Sequence, residues 1–427
     1  MIAVALPAVR DEFGVGIVAV SWLVTLYLVA VAVSQPVGGR LGDAIGSLAV
    51  LRLGLVGMAV FSVGAAVAPT FPLLVFARSV QGVAAALLIP SATAFLRRSV
   101  ATGELASVLG MNGAMISAGA ALGPVLGGLI LALAGWRWLF LVNLPAAAVV
   151  WLMLRPLSPD QGKGLRTFRA DPVSLAALVT AFTGLALLGT AIRSGSEAFT
   201  WAAAALFALG VGWYAAAFRL ASRGIVDLDL FRSFAFARAG AMTALSNLVM
   251  YTTLVALPVY LRDEHDLGTG QVGGLLFAMS AVNVLTAPLG GRMANRFGIR
   301  TGLVSGSGLL LLSAAGVLAL VASGGTYSLA APLTMVGAGM GLSAAAQQTS
   351  GLTAWPLSRA GSAAGTLSFM RYVGSVAGAS LLAAVLGGAP GPSDYEVLLA
   401  AMVAVSGVNA LLAFLPSPRV GRSPAPD

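Results

Sequence analysis

Long apolar runs follow one another along most of this chain, and they restrict its fold more than any other feature. Each run has about the 20 predominantly apolar residues that a helix needs to cross the hydrocarbon core of a bilayer. A transmembrane β-barrel would alternate polar and apolar residues in strands of about ten residues, whereas Ala, Leu, Val and Gly succeed one another here without alternation. We therefore predict an all-α polytopic membrane protein.

Composition excludes several other classes of protein. Of the 427 residues, 58% are hydrophobic and 9% are charged, whereas a soluble domain carries about 25% charged residues. This rules out a water-soluble enzyme or binding module. The chain has no cysteine and a single histidine, His265, so disulfides and thiolate metal sites are excluded and we expect no metal site. No nucleotide-binding motif or catalytic cluster occurs, so we predict no cofactor and no enzymatic activity.

Hydropathy predicts thirteen full spans after an N-terminal stub, Met1 to about Val9, that is too short to cross a bilayer. The spans cover residues 15–37, 48–68, 71–94, 105–133, 137–154, 173–193, 198–218, 238–261, 270–290, 301–322, 328–349, 362–387 and 397–416.

The predicted organisation is two six-helix bundles separated by two extra central spans. The N-terminal bundle, with a truncated first span, covers residues 1–155, and the C-terminal bundle covers residues 226–416. Residues 156–225 hold a basic cytoplasmic linker and the two extra spans. Residues 219–238 alternate charged and apolar side chains, which predicts a short helix at the membrane interface. Residues 417–427 are predicted to form a polar cytoplasmic tail.

Basic residues fix the predicted orientation. With the loop around residues 38–47 placed in the cytoplasm, eighteen of the 24 Lys and Arg residues lie on the cytoplasmic side and four on the opposite side. The remaining two, Arg78 and Arg371, fall inside spans. The net charge of +9 therefore reflects the cytoplasmic loops of a multi-pass cell-membrane protein rather than nucleic-acid binding. The C-terminus is predicted to be cytoplasmic.

A short internal repeat relates the two halves of the chain. Residues 36–46 read PVGGRLGDAIG and residues 288–298 read PLGGRMANRFG, with the Pro, the Gly-Gly-Arg triplet and the closing Gly identical. Both copies follow the second segment of their half. Many transporters are built from repeated halves with the substrate site at the repeat interface, so the repeat favours a transporter.

Five segments resemble motifs of one transporter family. They are SWLVTLYL (21–28), GGRLGDAIG (38–46), RSVQGVAAA (78–86), GAALGPVLGG (119–128) and WRWLFLVNLP (136–145). Together they are similar to the major facilitator superfamily, specifically its fourteen-span drug:proton antiporter branch, over nearly the whole chain. The resemblance implies alternating access, a small amphipathic substrate, protons as the coupling ion and a monomer in the lipid bilayer.

The resemblance also implies roles for individual residues. Arg78, Gln81 and Arg371 are implied in proton coupling or gating; the alternative is a structural role for the two arginines. The cytoplasmic loop motif comprises Gly39, Arg40, Asp43 and Gly46, with Gly291, Arg292, Arg296 and Gly298 in the second copy. The fifth-span antiporter motif comprises Gly119, Gly123, Pro124, Gly127 and Gly128.

Two of these motifs carry physical expectations. Gly119, Gly123 and Gly127 are four residues apart and share one helix face, which permits close approach of another helix, and Pro124 can kink that helix. Ordinary tight packing is the alternative to a seam between the two halves. Asp43 is expected to cap the helix that begins near Ser47 and to meet helix dipoles. In the family, this acid helps to hold the two halves together on the cytoplasmic side.

Other polar and aromatic residues within spans are candidates for a substrate cavity, with helix–helix hydrogen bonding as the alternative. These candidates are Trp22, Tyr27, Asn112, Asn143, Asn247, Tyr251 and Asn283. A largely apolar cavity with scattered hydrogen-bonding groups suits amphipathic organic molecules better than sugars or strongly anionic compounds.

All fifteen acidic residues fall in loops or at span ends, although proton antiport usually needs a protonatable carboxylate inside the membrane. In the branch named above, such an acid lies in the first span, shortly before a sequence like MIAVALPAV. We therefore expect the full-length protein to begin upstream of Met1. The predicted function is proton-coupled export of drug-like or natural-product compounds. The alternative is a truncated, non-transporting paralogue that acts as a receptor, sensor or partner subunit.

Overall fold

The computed structural model describes residues 2–158, 160, 162, 164–165, 168, 171–221, 224–263, 268–322, 329–386 and 391–416. Within these ranges the regular structure is helical throughout, which confirms the all-α prediction. The helices are α1 (Ile2–Phe13), α2 (Ile17–Ile45), α3 (Ser47–Ala66), α4 (Phe71–Ser99), α5 (Leu105–Ala134), α6 (Trp138–Leu141), α7 (Asn143–Leu154), α8 (Pro172–Arg193), α9 (Glu197–Ala221), α10 (Phe234–Asp263), α11 (Thr269–Phe297), α12 (Ile299–Ala322), α13 (Ala330–Thr353), α14 (Ala360–Val385) and α15 (Pro392–Phe414).

Eleven helices in the described ranges are long and apolar enough to cross a membrane. They correspond to eleven of the thirteen predicted spans. Of the other two, α13 is long enough, with 24 residues, but carries polar side chains such as Gln347 and Thr349 that are buried inside its unit. The predicted span 137–154 is divided at Val142 into α6 and α7. The count of thirteen therefore stays a prediction.

The chain divides into two compact units. The first contains Met1–Val100, Met115–Asp227 and Leu357–Tyr372, and the second contains Ala101–Ala114, Leu228–Pro356 and Val373–Asp427. Helices α5 and α14 each contribute residues to both units, because the divisions fall within them.

In the first unit, α4 packs against both α2 and α3, and α3 also packs against α7. The core at one end combines Leu23, Leu74, Trp136 and Phe140 with Ala5 of α1, all almost fully buried. Helices α8 and α9 pack against each other, and α8 contacts α2. The two predicted extra central spans thus form a helical hairpin within this unit.

The second unit repeats the packing order of the first. Here α13 packs against both α11 and α12, and α15 packs against α10 and α12. Its core includes Leu261, Leu333 and the rings of Tyr260 and Tyr395, whose centroids are 5.0 Å apart in an edge-to-face arrangement. The order α2, α3, α4 in one unit therefore corresponds to α11, α12, α13 in the other, as the sequence repeat predicts.

The repeated motif is mostly helical, which corrects its description as a loop. Residues 38–45 form the last turns of α2, and residues 290–297 form the last turns of α11. Only Gly46 and Gly298 lie outside the helices, with φ angles of 95° and 93°. A side chain is unfavourable at such angles, so these two glycines permit the abrupt change of direction into the next helix.

Several predicted segments fall wholly or partly outside the described residues. These include the loop around His265 and the tail at residues 417–427. In the segment 219–238, where a short interfacial helix was predicted, the structure has a 3-10 helix at Leu228–Arg232 followed by the start of α10 at Phe234.

Candidate functional site

Asp43 binds the first residues of α14. Its Oδ1 accepts the backbone N–H of Gly361 at 2.7 Å, and its Oδ2 accepts the backbone N–H of Ser362 at 2.8 Å. The Ser362 hydroxyl also donates to Oδ2 at 2.7 Å. The first N–H groups of a helix have no partner within the helix and carry the positive end of its dipole. Asp43 therefore satisfies two of these donors of α14 with a negative charge.

Arg98, at the end of α4, bridges Asp43 to a second carboxylate, Asp160. Its Nη2 lies 2.7 Å from Oδ1 of Asp43, and its Nη1 lies 2.5 Å from Oδ2 of Asp160. All three side chains are largely buried, with exposed fractions of 14% for Arg98, 9% for Asp43 and 15% for Asp160. We call Asp43, Arg98, Asp160, Gly361 and Ser362 the Asp43 cluster.

Asp160, rather than Asp43, caps α3, which corrects the sequence-based assignment. The backbone N–H groups of Ser47 and Leu48 donate to the two carboxylate oxygens of Asp160, each at 2.8 Å. The helix begins at Ser47 as predicted. Burial alone would raise the pKa of Asp160, but these two N–H donors and the Arg98 guanidinium outweigh it and hold the pKa below its ordinary value.

The cap predicts a loss of stability when Asp160 is replaced. Asp160→Ala removes the acceptor for two N–H groups of α3, so we expect it to lower the free energy of unfolding by about 0.5–2 kcal/mol. The measurement is unfolding of the purified protein in detergent micelles. Asp229→Ala is the control, because Asp229 is exposed and its nearest ion-pair distance is 3.8 Å.

Comparison of the wild type with Asp160→Ala at different pH values also tests the pKa of Asp160. Since its folded-state pKa lies below the ordinary value, its contribution is complete above the ordinary pKa of aspartate and is lost as the pH falls through the folded-state pKa. The stability gap between the wild type and Asp160→Ala should therefore close on acidification. A gap that stays constant into strongly acidic conditions would contradict this.

Glycines of the repeated motif allow one helix to approach another closely. The first copy, in α2, approaches α14, the helix whose start Asp43 binds. A Cβ atom on Gly39 would overlap the carbonyl oxygen of Gly361 and lie 3.0 Å from the Cα of Gly365. In the second unit, a Cβ on Gly291 would overlap the carbonyl oxygen of Ala106, in α5. The equivalent glycines of the repeat therefore pack against α14 in one unit and α5 in the other.

The second copy lacks the acid and uses a neutral contact instead. Asn295 takes the place of Asp43 in the repeat, and its Nδ2 donates to the hydroxyl of Ser107 at 2.8 Å. Arg292 and Arg296 of this copy are exposed on the last turns of α11. The contact made by the first copy is charged and largely buried, whereas the contact made by the second copy joins an amide to a hydroxyl group.

Arg40, the remaining basic residue of the first copy, contacts the segment that follows α9. Its Nη1 donates to the carbonyl oxygen of Gly224 at 2.5 Å. Nearby in sequence, the carboxylate of Asp227 lies 3.9 Å from the guanidinium of Arg359. Arg40 thus has a backbone partner outside α2.

Arg78 lies in a second cluster, with neutral partners. It is the eighth residue of α4. Its Nη1 donates to Oε1 of Gln81 at 3.0 Å, and its guanidinium carbon lies 4.0 Å from the centroid of the Tyr27 ring. The ring of Phe140 is 5.7 Å away. Both distances fit cation–π contacts.

Ser62 orients the amide groups of this cluster. Its hydroxyl accepts Nε2 of Gln81 at 2.7 Å and Nδ2 of Asn143 at 3.2 Å. Ser62 and Gln81 are fully buried. Because Nε2 of Gln81 is bound to Ser62, Oε1 of the same amide faces Arg78. The structure therefore brings four predicted residues, Tyr27, Arg78, Gln81 and Asn143, together with Ser62; we call this set the Arg78 cluster.

Arg371 lies in α14, in the part of that helix that belongs to the first unit. Its neighbour Tyr372 lies within electrostatic range of both Arg371 and Tyr27.

The other predicted cavity residues do not join the Arg78 cluster. Trp22 is 38% exposed on α2. Asn247 donates to the carbonyl oxygen of Thr243 at 2.8 Å, one turn earlier in α10, which is a contact within the helix. Asn112, Tyr251 and Asn283 are half-buried and belong, like Asn247, to the second unit.

The fifth-span motif lies on α5, which continues through Pro124 as a single helix. A Cβ added at Gly119 or Gly128 would have no described atom within 4 Å. Gly127 is buried and Gly123 is half-buried. Tight packing is thus not observed at Gly119 and Gly128, and the seam implied by the family resemblance stays a prediction.

Comparison with known proteins identifies the family. The family model described as Major Facilitator Superfamily matches residues 1–379 and, in an overlapping second match, residues 239–427. The multidrug resistance protein Stp of Mycobacterium tuberculosis (strain ATCC 25618 / H37Rv) is 30% identical over 400 residues, covering 90% of this chain and 72% of that protein. The probable actinorhodin transporter of Streptomyces coelicolor is 31% identical over 403 residues, covering 89% and 68%.

Structural comparison agrees with the sequence matches. The proton:xylose symporter XylE superposes with a TM-score of 0.68 at 12% identity, covering 97% of this chain and 91% of that one. At that identity the likeness concerns the fold. The fourteen-span branch, by contrast, stays a prediction. The chain therefore belongs to the Major Facilitator Superfamily and is a multi-pass membrane transporter.

Proposed function

We propose that this transporter exports amphipathic drug-like or natural-product compounds in exchange for protons, by alternating access. The observation that carries the proposal is the Arg78 cluster. An ionisable residue within a membrane span is costly and marks a substrate or proton pathway by default. Relatives named as a multidrug resistance protein and an actinorhodin transporter support this substrate class.

Arg78 contributes a fixed positive charge in this proposal. A guanidinium does not release its proton in proteins, so Arg78 is not itself the proton carrier. Its charge instead favours the deprotonated form of an acid placed near it. Gln81 and Tyr27 hold the guanidinium in place. A proton or a substrate that moves near Arg78 changes the electrostatic energy of this buried charge.

The Asp43 cluster is the proposed cytoplasmic gate. Alternating access requires contacts that form in one state and break in another. The cluster joins the end of α2 to the start of α14 through short, charge-assisted hydrogen bonds. Arg371 in α14 and the fifth-span glycines are proposed to take part in the same transition.

Further parts of the organisation are proposed with this function. The chain belongs to the fourteen-span branch, with bundles at residues 1–155 and 226–416, the linker and extra spans at 156–225, and a cytoplasmic tail at 417–427. It works as a monomer in the cell membrane, with its C-terminus in the cytoplasm.

Proton-driven dye uptake tests the proposal. We expect liposomes that contain the purified chain and have an acidic lumen to accumulate a fluorescent amphipathic dye, and Arg78→Ala to abolish this uptake. Arg232→Ala is the control, because Arg232 is a surface residue with an exposed fraction of 82%. Absence of uptake by a folded wild-type chain would favour the non-transporting alternative.

A further inference from the structure

A buried segment follows the second of the two extra central helices. Residues 224–227, which we call the 224–227 segment, lie between α9 and the 3-10 helix that begins at Leu228. Ile225 and Val226 are only 5% and 4% exposed, although a segment that connects helices normally runs over the surface of a protein. Specific contacts within the first unit hold this segment in place.

Tyr214 of α9 binds the 224–227 segment through its hydroxyl group. The hydroxyl donates to the carbonyl oxygen of Val226 at 2.9 Å and accepts the backbone N–H of Val226 at 2.8 Å. Tyr214 is itself buried. A Cβ atom on Gly224 would overlap the hydroxyl oxygen of Tyr214. A side chain at residue 224 would therefore displace the group that satisfies both polar backbone atoms of Val226.

Arg40 of α2 binds the same segment. Its Nη1 donates to the carbonyl oxygen of Gly224 at 2.5 Å. Asp171 accepts the backbone N–H groups of Val173 and Ser174 at the start of α8, and it lies within electrostatic range of Arg40. The arginine of the first motif copy therefore joins α2 to the segment after α9 and lies close to the charge at the start of α8.

The internal repeat shows that an arginine at this position does not require such a partner. Arg292 takes the place of Arg40 in the second copy and is exposed on the last turns of α11, whereas Arg40 is half-buried. Keeping a positive charge at the end of the helix is compatible with an exposed side chain. The burial of Arg40 therefore reflects its contact with the 224–227 segment.

The 224–227 segment also reaches the start of α14. The carboxylate of Asp227 lies 3.9 Å from the guanidinium of Arg359, which directly precedes the first residue of α14. Asp43 binds the first N–H groups of the same helix. Because an ion pair between partly exposed groups is weak, its effect on α14 depends on how firmly the segment itself is held.

We infer that the α8–α9 hairpin positions the start of α14, with Tyr214 and Arg40 as the positioning residues. The two side chains hold the 224–227 segment, and Asp227 in that segment holds the residue that precedes α14. This inference rests on the proposed function, in which the Asp43 cluster is the cytoplasmic gate, and gives the two extra helices a part in its regulation. Loosening the segment should shift the equilibrium of the gate towards the open state.

A single introduced thiol measures the position of α14, because the chain has no cysteine. Ala360 is the first residue of α14 and is 1% exposed. In an Ala360→Cys background, the rate of labelling by N-ethylmaleimide measures how often the start of α14 is uncovered. We expect Tyr214→Phe to speed labelling about fivefold, the factor that corresponds to about 1 kcal/mol for one neutral hydrogen bond. Arg40→Gln and Gly224→Ala should also speed labelling.

Matched variants control for charge and for added volume. Arg292→Gln removes the equivalent arginine of the second unit, and Gly212→Ala adds a methyl group to α9 where a Cβ would have no described atom within 4 Å. Both should leave the labelling rate unchanged. A thiol introduced instead by Ala346→Cys, at a fully buried position of α13 in the second unit, should label at a constant rate in every variant.

Two results would overturn the inference. One is labelling at the parent rate at residue 360 in any of the variants Tyr214→Phe, Arg40→Gln and Gly224→Ala. The other is an equal acceleration at residues 360 and 346, which would show general loosening of the protein and not a local effect on α14.

Failure of this inference is distinguishable from failure of the proposed function. Proton-driven dye uptake by the wild type, with labelling at residue 360 unchanged by the variants, would refute only the role of the α8–α9 hairpin. Faster labelling in the variants, without any uptake by the wild type, would instead refute transport.

Discussion

Replacing Arg98 by glutamine is expected to lower the free energy of unfolding by about 3–5 kcal/mol, the cost of breaking a buried ion pair from one side. Arg98 is the counter-charge for both Asp43 and Asp160. Its removal leaves two largely buried carboxylates without the cation that pairs with them. The Asp43 contact with the start of α14 should weaken as well. Unfolding in detergent micelles measures the stability, and proton-driven dye uptake measures the transport rate.

The neighbouring residue provides the control for this substitution. Arg97→Gln removes a positive charge from the same turn of α4, but Arg97 has no carboxylate partner among the described ion pairs. We expect a much smaller loss of stability for this variant. If both substitutions cost the same, the effect comes from the charge of the helix end and not from the Asp43 cluster.

Gly39→Ala is expected to lower stability by about 1–3 kcal/mol, the usual cost of overpacking a close contact. The added methyl group would overlap the carbonyl oxygen of Gly361, which is backbone and cannot rotate away. Separating α2 from α14 would also lengthen the hydrogen bond from the Gly361 N–H to Asp43. Dye uptake should therefore fall together with stability.

Gly64→Ala tests whether helix propensity alone explains the result. Gly64 lies in α3, and a Cβ there would have no described atom within 4 Å. Alanine is a better helix former than glycine, so this control should keep or raise stability. If Gly39→Ala keeps the stability and dye uptake that Gly64→Ala has, the close approach of α2 to α14 limits neither stability nor transport.

Hydropathy and motif spacing predicted much of the fold. Eleven predicted spans correspond to helices that can cross a membrane, because burial in lipid demands long apolar segments. Helix α13 departs from this rule, because polar residues such as Gln347 are buried inside its unit, where Nε2 of Gln347 donates to the hydroxyl of Ser246 in α10. Hydropathy also placed the end of the second helix near residue 37, whereas α2 continues through Gly38 and Gly39 to Ile45.

The candidate sites were predictable only where their residues are close in sequence. Arg78 and Gln81 are three residues apart on one helix face, so their contact follows from helix geometry. Asp160 lies 113 residues from Ser47, and no local pattern links that acid to the start of α3. Ser62 looks like any serine in an apolar helix, and only the packing of α3 against α4 reveals its role.

The difference between the two copies of the repeat has a consequence for how the protein responds to its surroundings. A contact between a carboxylate, a guanidinium and a helix dipole changes with pH and ionic strength, whereas the amide–hydroxyl contact of Asn295 with Ser107 is insensitive to both. Acidification should therefore loosen the contact at Asp43 and leave the equivalent contact at Asn295 unchanged.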